Sequence, residues 1–235
     1  MNVNDIRQQF IQKYYKKDFE IDKSGVKVVE LIGVSFDVDE DTIFGKPNEE
    51  YIKKELNWYL SKSLNVNDLE NTPKIWKEVA DPSGFINSNY GWCVFSIENG
   101  NQYDNCVNEL KKNPSSRRAT MIYNRPSIWK DYNKRGMSDF ICTFATQFFI
   151  RKGVLICDVK MRSNDLRFGF LNDKFWHQYI LNKLANDLNI SHTKMIWNAG
   201  SLHMYEKDFY LLDHYIKTKE INISKHDYDE LYKVC

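Results

Sequence analysis

Two adjacent arginines are the first residues whose types could bind a charged ligand. Arg117 and Arg118 follow Pro114-Ser115-Ser116 and begin a segment with strand character. Guanidinium groups donate paired hydrogen bonds whose geometry matches phosphate oxygens. The pair therefore indicates an anion site, and the alternative interpretation is a solvated basic turn.

A cysteine, Cys142, lies in the apolar segment 140–143. Cysteine in such a strand is commonly a small buried hydrophobic residue. A nearby cation would favour the thiolate, which is the nucleophilic form. Arg162, at the end of the next predicted strand, could supply that cation. Cys142 is therefore a candidate nucleophile, with a structural core cysteine as the alternative.

Residues 161–173 join a predicted strand to a predicted helix and are dense in hydrogen-bonding groups. Polar residues in such a connection can be caps, and Asp173 could be the N-cap of the following helix. The density is nevertheless unusual for a connection, which favours a binding segment. Its polar residues include Arg162, Ser163, Asp165, Asn172 and Asp173.

Periodicity predicts the elements that must position these residues. Helical spacing of apolar residues predicts helices at 5–17, 48–62, 101–112, 173–188 and 209–218. Alternation or apolar runs predict strands at 26–36, 117–123, 140–150, 154–162 and 196–205. Residues 76–92 are predicted to be a loop with a turn at 81–84, and residues 151–153 a hairpin connection. The interleaving predicts a single α+β or α/β domain over residues 1–235, with helices layered on one mixed sheet.

The composition excludes several classes of protein. A chain of 235 residues suits one substantial domain. Its net charge of +1 argues against direct nucleic-acid binding. The sequence contains no apolar run of about 18 residues, so no membrane span is predicted. The N-terminus has no signal-peptide pattern. The five scattered cysteines contain no CxxC pair, which indicates neither zinc nor a disulfide framework and favours the cytoplasm.

In order and spacing, these segments resemble the thymidylate-synthase superfamily over about residues 22–214. The matching motifs are residues 22–25, 43–45, 55–58, 75–76, 90–91, 116–118, 142 with 147–149, 162–169 and 200–205. Within the superfamily, the chain is similar to the phage deoxycytidylate hydroxymethylases. That likeness rests on NSNYGW at 87–92, MIYNRPS at 121–127, GMSDF at 136–140 and ISKHDY at 223–228.

The resemblance implies a homodimer of the thymidylate-synthase fold, dimerising through its sheet. It implies transfer of a hydroxymethyl group from 5,10-methylenetetrahydrofolate to carbon 5 of dCMP, with no metal. Cys142 would add to ring carbon 6 of the base. Glu55 would order the water and relay protons, and Tyr90 would help remove the carbon 5 proton.

Binding roles also follow from the resemblance. Arg117 and Arg118 would reach across the dimer to the partner's nucleotide phosphate. Lys23 stands where synthases usually have arginine, and it would attract the phosphate as a point charge. The other residues implied for binding are Arg162 and Ser163 for the phosphate, His203 and Tyr205 for the sugar 3′-hydroxyl, and Trp76 and Asp165 for the folate.

Two further features depart from the synthases. Synthases have asparagine where Asp173 stands, because an amide complements uracil. Cytosine offers an amine donor and an unprotonated ring nitrogen, and a carboxylate accepts from that amine. An unpaired buried polar group costs about 1–3 kcal/mol, so one exchange could reverse the preference tenfold or more. The chain end, residues 231–235, also lacks the apolar tail that synthases fold over the folate, which suits entry of water.

Three alternatives stay open. The chain could act on dUMP, as a synthase or a hydroxymethylase, and Asp173 argues against this. It could act on CMP. It could also be a non-catalytic nucleotide-binding scaffold, within a nucleotide-precursor enzyme complex. The joint presence of Cys142, Arg162 and Glu55 argues against a scaffold.

Overall fold

The computed structural model describes residues 1–232. Residues 233–235, which include Cys235 and most of the predicted open chain end, lie outside the described residues. The chain groups into two compact units. The first contains Met1–Pro47, Ser163–Phe175 and Ile196–Cys235, and the second contains Asn48–Arg162 and Trp176–Met195. Each unit is therefore built from segments that are distant in sequence.

Helices and strands are intermixed along the described residues. The helices are α1 Val3–Tyr15, α2 Glu49–Ser61, α3 Lys74–Val79, α4 Tyr90–Phe95, α5 Gln102–Lys112, α6 Ile128–Asp131, α7 Gly169–Asp187, α8 Phe209–Thr218 and α9 Lys225–Tyr232. The strands are β1 Glu20–Ile21, β2 Lys27–Asp37, β3 Thr120–Ile122, β4 Thr143–Arg151, β5 Val154–Asp165 and β6 His192–Tyr205. The strands form one sheet in the order β1-β2-β6-β5-β4-β3, which confirms the predicted α+β class with one mixed sheet.

In the first unit, β2 pairs antiparallel with β6, from Val28 opposite Tyr205 to Asp37 opposite Ile196. Phe170, near the start of α7, packs edge-on against Trp197 of β6 with ring centroids 5.1 Å apart. Both side chains are fully buried. This contact fixes the first turns of α7 in the core of the unit and thereby the position of Asp173.

In the second unit, β4 and β5 form a hairpin with the two-residue turn Lys152-Gly153. Both turn residues have positive φ, 51° and 76°, as the type I′ turn requires. The hairpin register places Thr143 opposite Met161. One residue beyond that pair, the Arg162 amide donates to the Cys142 carbonyl at 2.8 Å. The turn chemistry thus makes Cys142 and Arg162 neighbours.

Helix α4 lies unusually close to the end of α2. A Cβ on Gly91 would lie 1.8 Å from the carbonyl oxygen of Tyr59, so only glycine fits. The N-cap residue Asn89 accepts from the Trp92 amide and donates to the carbonyls of Trp58 and Ser63. These contacts hold Tyr90 against the α2 end.

Several sequence predictions were wrong in detail. The predicted loop 76–92 contains most of α3 and the start of α4, because helices of six residues show too little periodicity and α4 is capped through tertiary contacts. Helix α7 begins at Gly169 rather than residue 173. Asp165 accepts from the amides of Arg167 and Phe168 in the turn before α7, whereas Asp173 lies inside the helix and is not its N-cap. Strand β3 is shorter than predicted, and β1, α6 and α9 were not predicted.

Replacing Gly91 by alanine should strongly destabilise the protein. The added methyl group would overlap the Tyr59 carbonyl, and overpacking of this kind costs about 1–3 kcal/mol or more. Urea unfolding should show a lower midpoint than the parent. Cys93→Ala in the same helix is the matched control and should lose less. Equal midpoints for Gly91→Ala and the parent would contradict the close approach.

Candidate active site

The Arg162 guanidinium is fixed beside the Cys142 sulfur. Its Nε donates to the Ile141 carbonyl at 3.0 Å, and Nη2 donates to the Phe140 carbonyl at 2.6 Å. Nη2 also lies 3.5 Å from Cys142 Sγ. The same guanidinium lies over the Phe140 ring, 5.0 Å from its centroid. Positive charge held in this way favours a thiolate.

The other described cysteines are poor nucleophiles. Cys93, Cys106 and Cys157 are buried, whereas Cys142 is partly exposed. Burial raises the pKa of Cys93 and of Cys106 to about 12 and raises the pKa of Cys157 well above its ordinary value. These three side chains therefore stay as thiols near neutral pH. Exposure and a neighbouring cation single out Cys142 among the described cysteines.

Glu55 is a buried carboxylate in α2, with 5% of its surface exposed. Tyr51, one turn earlier, donates its hydroxyl to Glu55 Oε1 at 2.5 Å. The Trp76 indole Nε1 lies 3.1 Å from the Tyr51 hydroxyl oxygen and 3.3 Å from Glu55 Oε1. Burial raises the pKa of Glu55 from 4.5 to about 7, although these hydrogen bonds lower it. Glu55 can therefore gain and release a proton near neutral pH.

Two aromatic residues predicted for the site differ in exposure. Trp76 is half-buried, and its ring packs edge-on against Trp58 at 5.3 Å. Tyr90 is 4% exposed and stacks on Tyr59 with centroids 5.2 Å apart. The ring of Tyr123 meets Tyr90 edge-on, also at 5.2 Å. Packing thus restricts the orientation of the Tyr90 ring, while part of the Trp76 ring surface stays accessible.

In the first unit, Asp173 and Asn164 form a polar pair. Asn164 Nδ2 donates to Asp173 Oδ2 at 2.9 Å. Asn164 is 1% exposed, whereas Asp173 and Ser163 are half-buried. Asp165 already accepts the amides of Arg167 and Phe168 at 3.2 and 3.1 Å. Its carboxylate is therefore held in a fixed orientation.

His203 belongs to a short chain of hydrogen bonds on β2 and β6. Ser201 Oγ donates to the Glu30 carboxylate and lies 3.1 Å from His203 Nδ1. Because the serine proton goes to the carboxylate, its oxygen must accept from Nδ1–H. In the neutral imidazole, Nε2 is then an acceptor. The His203 ring meets Tyr205 edge-on at 5.1 Å.

The remaining basic residues predicted to bind phosphate are exposed: Lys23, Arg117 and Arg118. Lys23 lies in the turn between β1 and β2, where Asp22 Oδ1 accepts the amides of Ser24 and Val26. The Arg117 carbonyl accepts from Gln147 Nε2 at 2.8 Å, and the Arg118 amide donates to Ser116 Oγ at 3.1 Å. The arginine backbone is therefore anchored while both side chains reach solvent.

Comparison with known proteins identifies the family of this chain. The thymidylate synthase family profile matches residues 16–231. The chain belongs to the thymidylate synthase family. Two relatives, each called deoxycytidylate 5-hydroxymethyltransferase, come from Enterobacteria phages T4 and T6 and are both 52% identical to it. The match covers 97% of this chain and 96% of the T4 protein, and 99% and 98% for the T6 pair.

A more distant relative and a solved structure both carry the name thymidylate synthase. A thymidylate synthase of Buchnera aphidicola is 28% identical, over 66% of this chain and 59% of that protein. The thermostable thymidylate synthase A from Bacillus subtilis has a TM-score of 0.69 at 24% identity. That match covers 92% of this chain and 84% of the synthase, and it shows a common fold.

Asp139 belongs to this site but was not predicted from the sequence. It is 6% exposed and accepts from the Asn87 amide at 2.6 Å, the Ser88 amide at 2.8 Å and Ser88 Oγ at 2.6 Å. These bonds tie the residues before Tyr90 to the segment that leads into Cys142. Both ends lie in motifs that resemble the phage branch, but nothing in the sequence pairs them. Tyr51, by contrast, could have been found from its spacing of four from Glu55.

Within the described residues, no helix is both long enough and apolar enough to cross a membrane.

The titration of Glu55 should appear in protein stability. Its pKa is raised in the folded state, so folding favours the protonated form. That contribution is complete below about pH 4.5 and is lost as the pH rises through about 7. Because glutamine mimics the protonated acid, Glu55→Gln should not lose this stability. Its free energy of unfolding should rise relative to that of the parent by up to about 3 kcal/mol as the pH increases from 5 to 8. Urea unfolding at both values measures this difference.

Glu50→Gln is the matched control, since Glu50 is an exposed residue of the same helix. Its difference from the parent should stay constant between pH 5 and 8. A Glu55→Gln difference that was equally constant would mean that Glu55 is ionised normally in the folded protein.

Proposed function

We propose that this chain is a deoxycytidylate 5-hydroxymethyltransferase. It would convert dCMP, 5,10-methylenetetrahydrofolate and water into 5-hydroxymethyl-dCMP and tetrahydrofolate. The observation that carries the proposal is the carboxylate of Asp173 at the position where the family's synthases have asparagine. Phage proteins of that name are 52% identical to this chain over nearly its full length, which supports the proposal. We also keep the prediction that residues 1–235 act as one catalytic domain.

Cys142 starts the reaction in this proposal. Its thiolate adds to carbon 6 of the cytosine ring, which makes carbon 5 an enamine-like nucleophile. The Arg162 guanidinium stabilises the thiolate beforehand and binds the nucleotide phosphate with Ser163. Because Arg162 is held by two backbone carbonyls, its position relative to the sulfur is fixed before substrate arrives.

Methylenetetrahydrofolate supplies the one-carbon unit that carbon 5 attacks. Trp76 offers accessible ring surface for a flat folate ring, and the fixed Asp165 carboxylate suits the N–H donors of a pterin. The ring surface and the acceptor carboxylate both fit the folate. Its carbon is transferred without oxidation of the folate, so no hydride donor is required.

Proton transfers and water addition complete the sequence. Tyr90 assists removal of the carbon 5 proton, after which tetrahydrofolate departs and leaves an exocyclic methylene. Glu55 orders the water that adds to this methylene and accepts its proton. Cys142 then leaves from carbon 6 as thiolate. A carboxyl group whose pKa is about 7 suits both directions of proton transfer.

Asp173 would read the base, and His203 with Tyr205 would read the sugar. The Asp173 carboxylate accepts from the exocyclic amine of cytosine. The acceptor Nε2 of His203 suits the hydrogen of a sugar 3′-hydroxyl. A dUMP enzyme is the nearest alternative and lacks support from Asp173. A CMP enzyme and a non-catalytic scaffold are the other two.

Tritium release separates these functions. With dCMP labelled at carbon 5, the protein should release tritium only when methylenetetrahydrofolate is present, with no rise in dihydrofolate absorbance. Cys142→Ala should abolish release while nucleotide binding persists. Release from dUMP with formation of dihydrofolate would instead identify a synthase. Binding without release from either nucleotide would support the scaffold.

Exchanging Asp173 for asparagine should change base preference. The amide can donate toward a uracil carbonyl but lacks the full acceptor charge for the cytosine amine. We expect kcat/KM for dCMP to fall about tenfold to a hundredfold, because one unpaired buried group costs about 1–3 kcal/mol. The ratio of kcat/KM for dCMP to that for dUMP measures this change. An unchanged ratio would remove Asp173 from base reading.

The second unit has a sheet face suited to a second copy of the chain. In β3–β5, Ile122 lies opposite Ala145, and Phe149 lies opposite Ile156. Ile122 is 57% exposed, and the other three side chains are half-buried. Gln147 and Asp158 lie opposite each other on the same face, so it combines apolar and polar groups. This accessible mixed face supports a dimer through the sheet, with Arg117 and Arg118 beside β3 reaching the partner's nucleotide.

Subunit mixing tests this dimer. Cys142→Ala and the double variant Arg117→Ala/Arg118→Ala should each have little activity alone. In a mixed dimer, one site combines an intact Cys142 with intact arginines from the partner. After unfolding and refolding together, activity should return to about a quarter of the parent value. Activity equal to the sum of the separate variants would contradict sharing across subunits.

A further inference from the structure

The orientation of the Asn164 amide is fixed by chemistry. Asn164 lies near the end of β5, is 1% exposed, and contacts Asp173 Oδ2 at 2.9 Å. An ionised carboxylate only accepts hydrogen bonds, so the amide must turn its NH2 group toward Asp173. Gly169 leaves room for this arrangement, because a Cβ there would lie 3.0 Å from Asn164 Nδ2.

The other end of this amide lacks a protein partner. Asn164 Oδ1 is buried, and no described residue donates a hydrogen bond to it. Buried acceptors are nearly always paired in folded proteins, so each exception needs an explanation. A ligand that brings an N–H group would complete the pairing. The neighbouring Asp173 has been assigned the cytosine amine, which carries two N–H groups.

We propose that Asn164 is a second base-reading residue, whose Oδ1 accepts one N–H of the exocyclic amine of dCMP. This inference rests on the proposed function. The amine donates its other N–H to Asp173. The hydrogen bond between the two side chains therefore orients both acceptors, Asn164 Oδ1 and the Asp173 carboxylate, toward the same amino group. Uracil has a carbonyl oxygen in place of the amine. That oxygen would face Asn164 Oδ1 with no hydrogen between them, so the pair also rejects dUMP.

An analogue without the amine provides the test. Binding of dCMP and of the pyrimidin-2-one deoxyribonucleotide, which has hydrogen in place of the amine, is measured by calorimetry without folate. Each ligand is titrated into the parent and into Asn164→Ala. We expect the substitution to weaken dCMP binding about three- to tenfold, the range of one neutral hydrogen bond. Binding of the analogue should change by less than twofold.

Asn182→Ala, on the exposed part of α7, is the matched control and should leave both affinities unchanged. If Asn164→Ala does not fold, Asn164→Ser serves in the same comparison, since its side chain fills more of the space. Equal losses for dCMP and the analogue, or no loss for either, would overturn the role of Asn164. Tighter binding of dUMP than of dCMP by the parent would instead overturn the proposed function.

Discussion

The hydrogen bonds from Arg162 to the carbonyls of Phe140 and Ile141 are the constraint on which the chemistry depends. They keep a cation 3.5 Å from the Cys142 sulfur. The hairpin register and its two-residue turn set this spacing, because a shift by one residue would turn Arg162 to the other face. Asp139 adds a second anchor, which ties the segment before Cys142 to the residues before Tyr90.

The buried carboxyl groups show how environment separates roles for one functional group. Burial dominates at Glu55 and raises its pKa to about 7, so it can exchange protons at neutral pH. Burial also raises the pKa of Asp139, but two amides and a hydroxyl oppose this and hold the carboxylate in place. Asp139 therefore suits an anchor, and Glu55 suits a proton relay. Asp173, bonded to the Asn164 amide, is arranged to recognise hydrogen-bond donors.

Local patterns explain what could be predicted from the sequence. Helices α2, α5 and α8 begin and end within one or two residues of the predictions, because their apolar residues repeat at helical spacing over several turns. The neighbourhood of Cys142 and Arg162 followed from a hairpin with a short turn. Helices α3 and α4 were missed because tertiary contacts at Asn89 and Gly91 fix α4. The Asp139–Ser88 and Asn164–Asp173 contacts depend on side-chain packing that periodicity does not record.

Trapping the covalent adduct tests the central claim most directly. In 5-fluoro-dCMP, fluorine replaces the proton that must leave carbon 5, so an adduct formed with methylenetetrahydrofolate cannot break down. Peptide mass spectrometry would then locate the nucleotide on the chain. We expect the adduct on Cys142 with 5-fluoro-dCMP, and little or none with 5-fluoro-dUMP. An adduct on another cysteine, or one formed only with 5-fluoro-dUMP, would contradict the account.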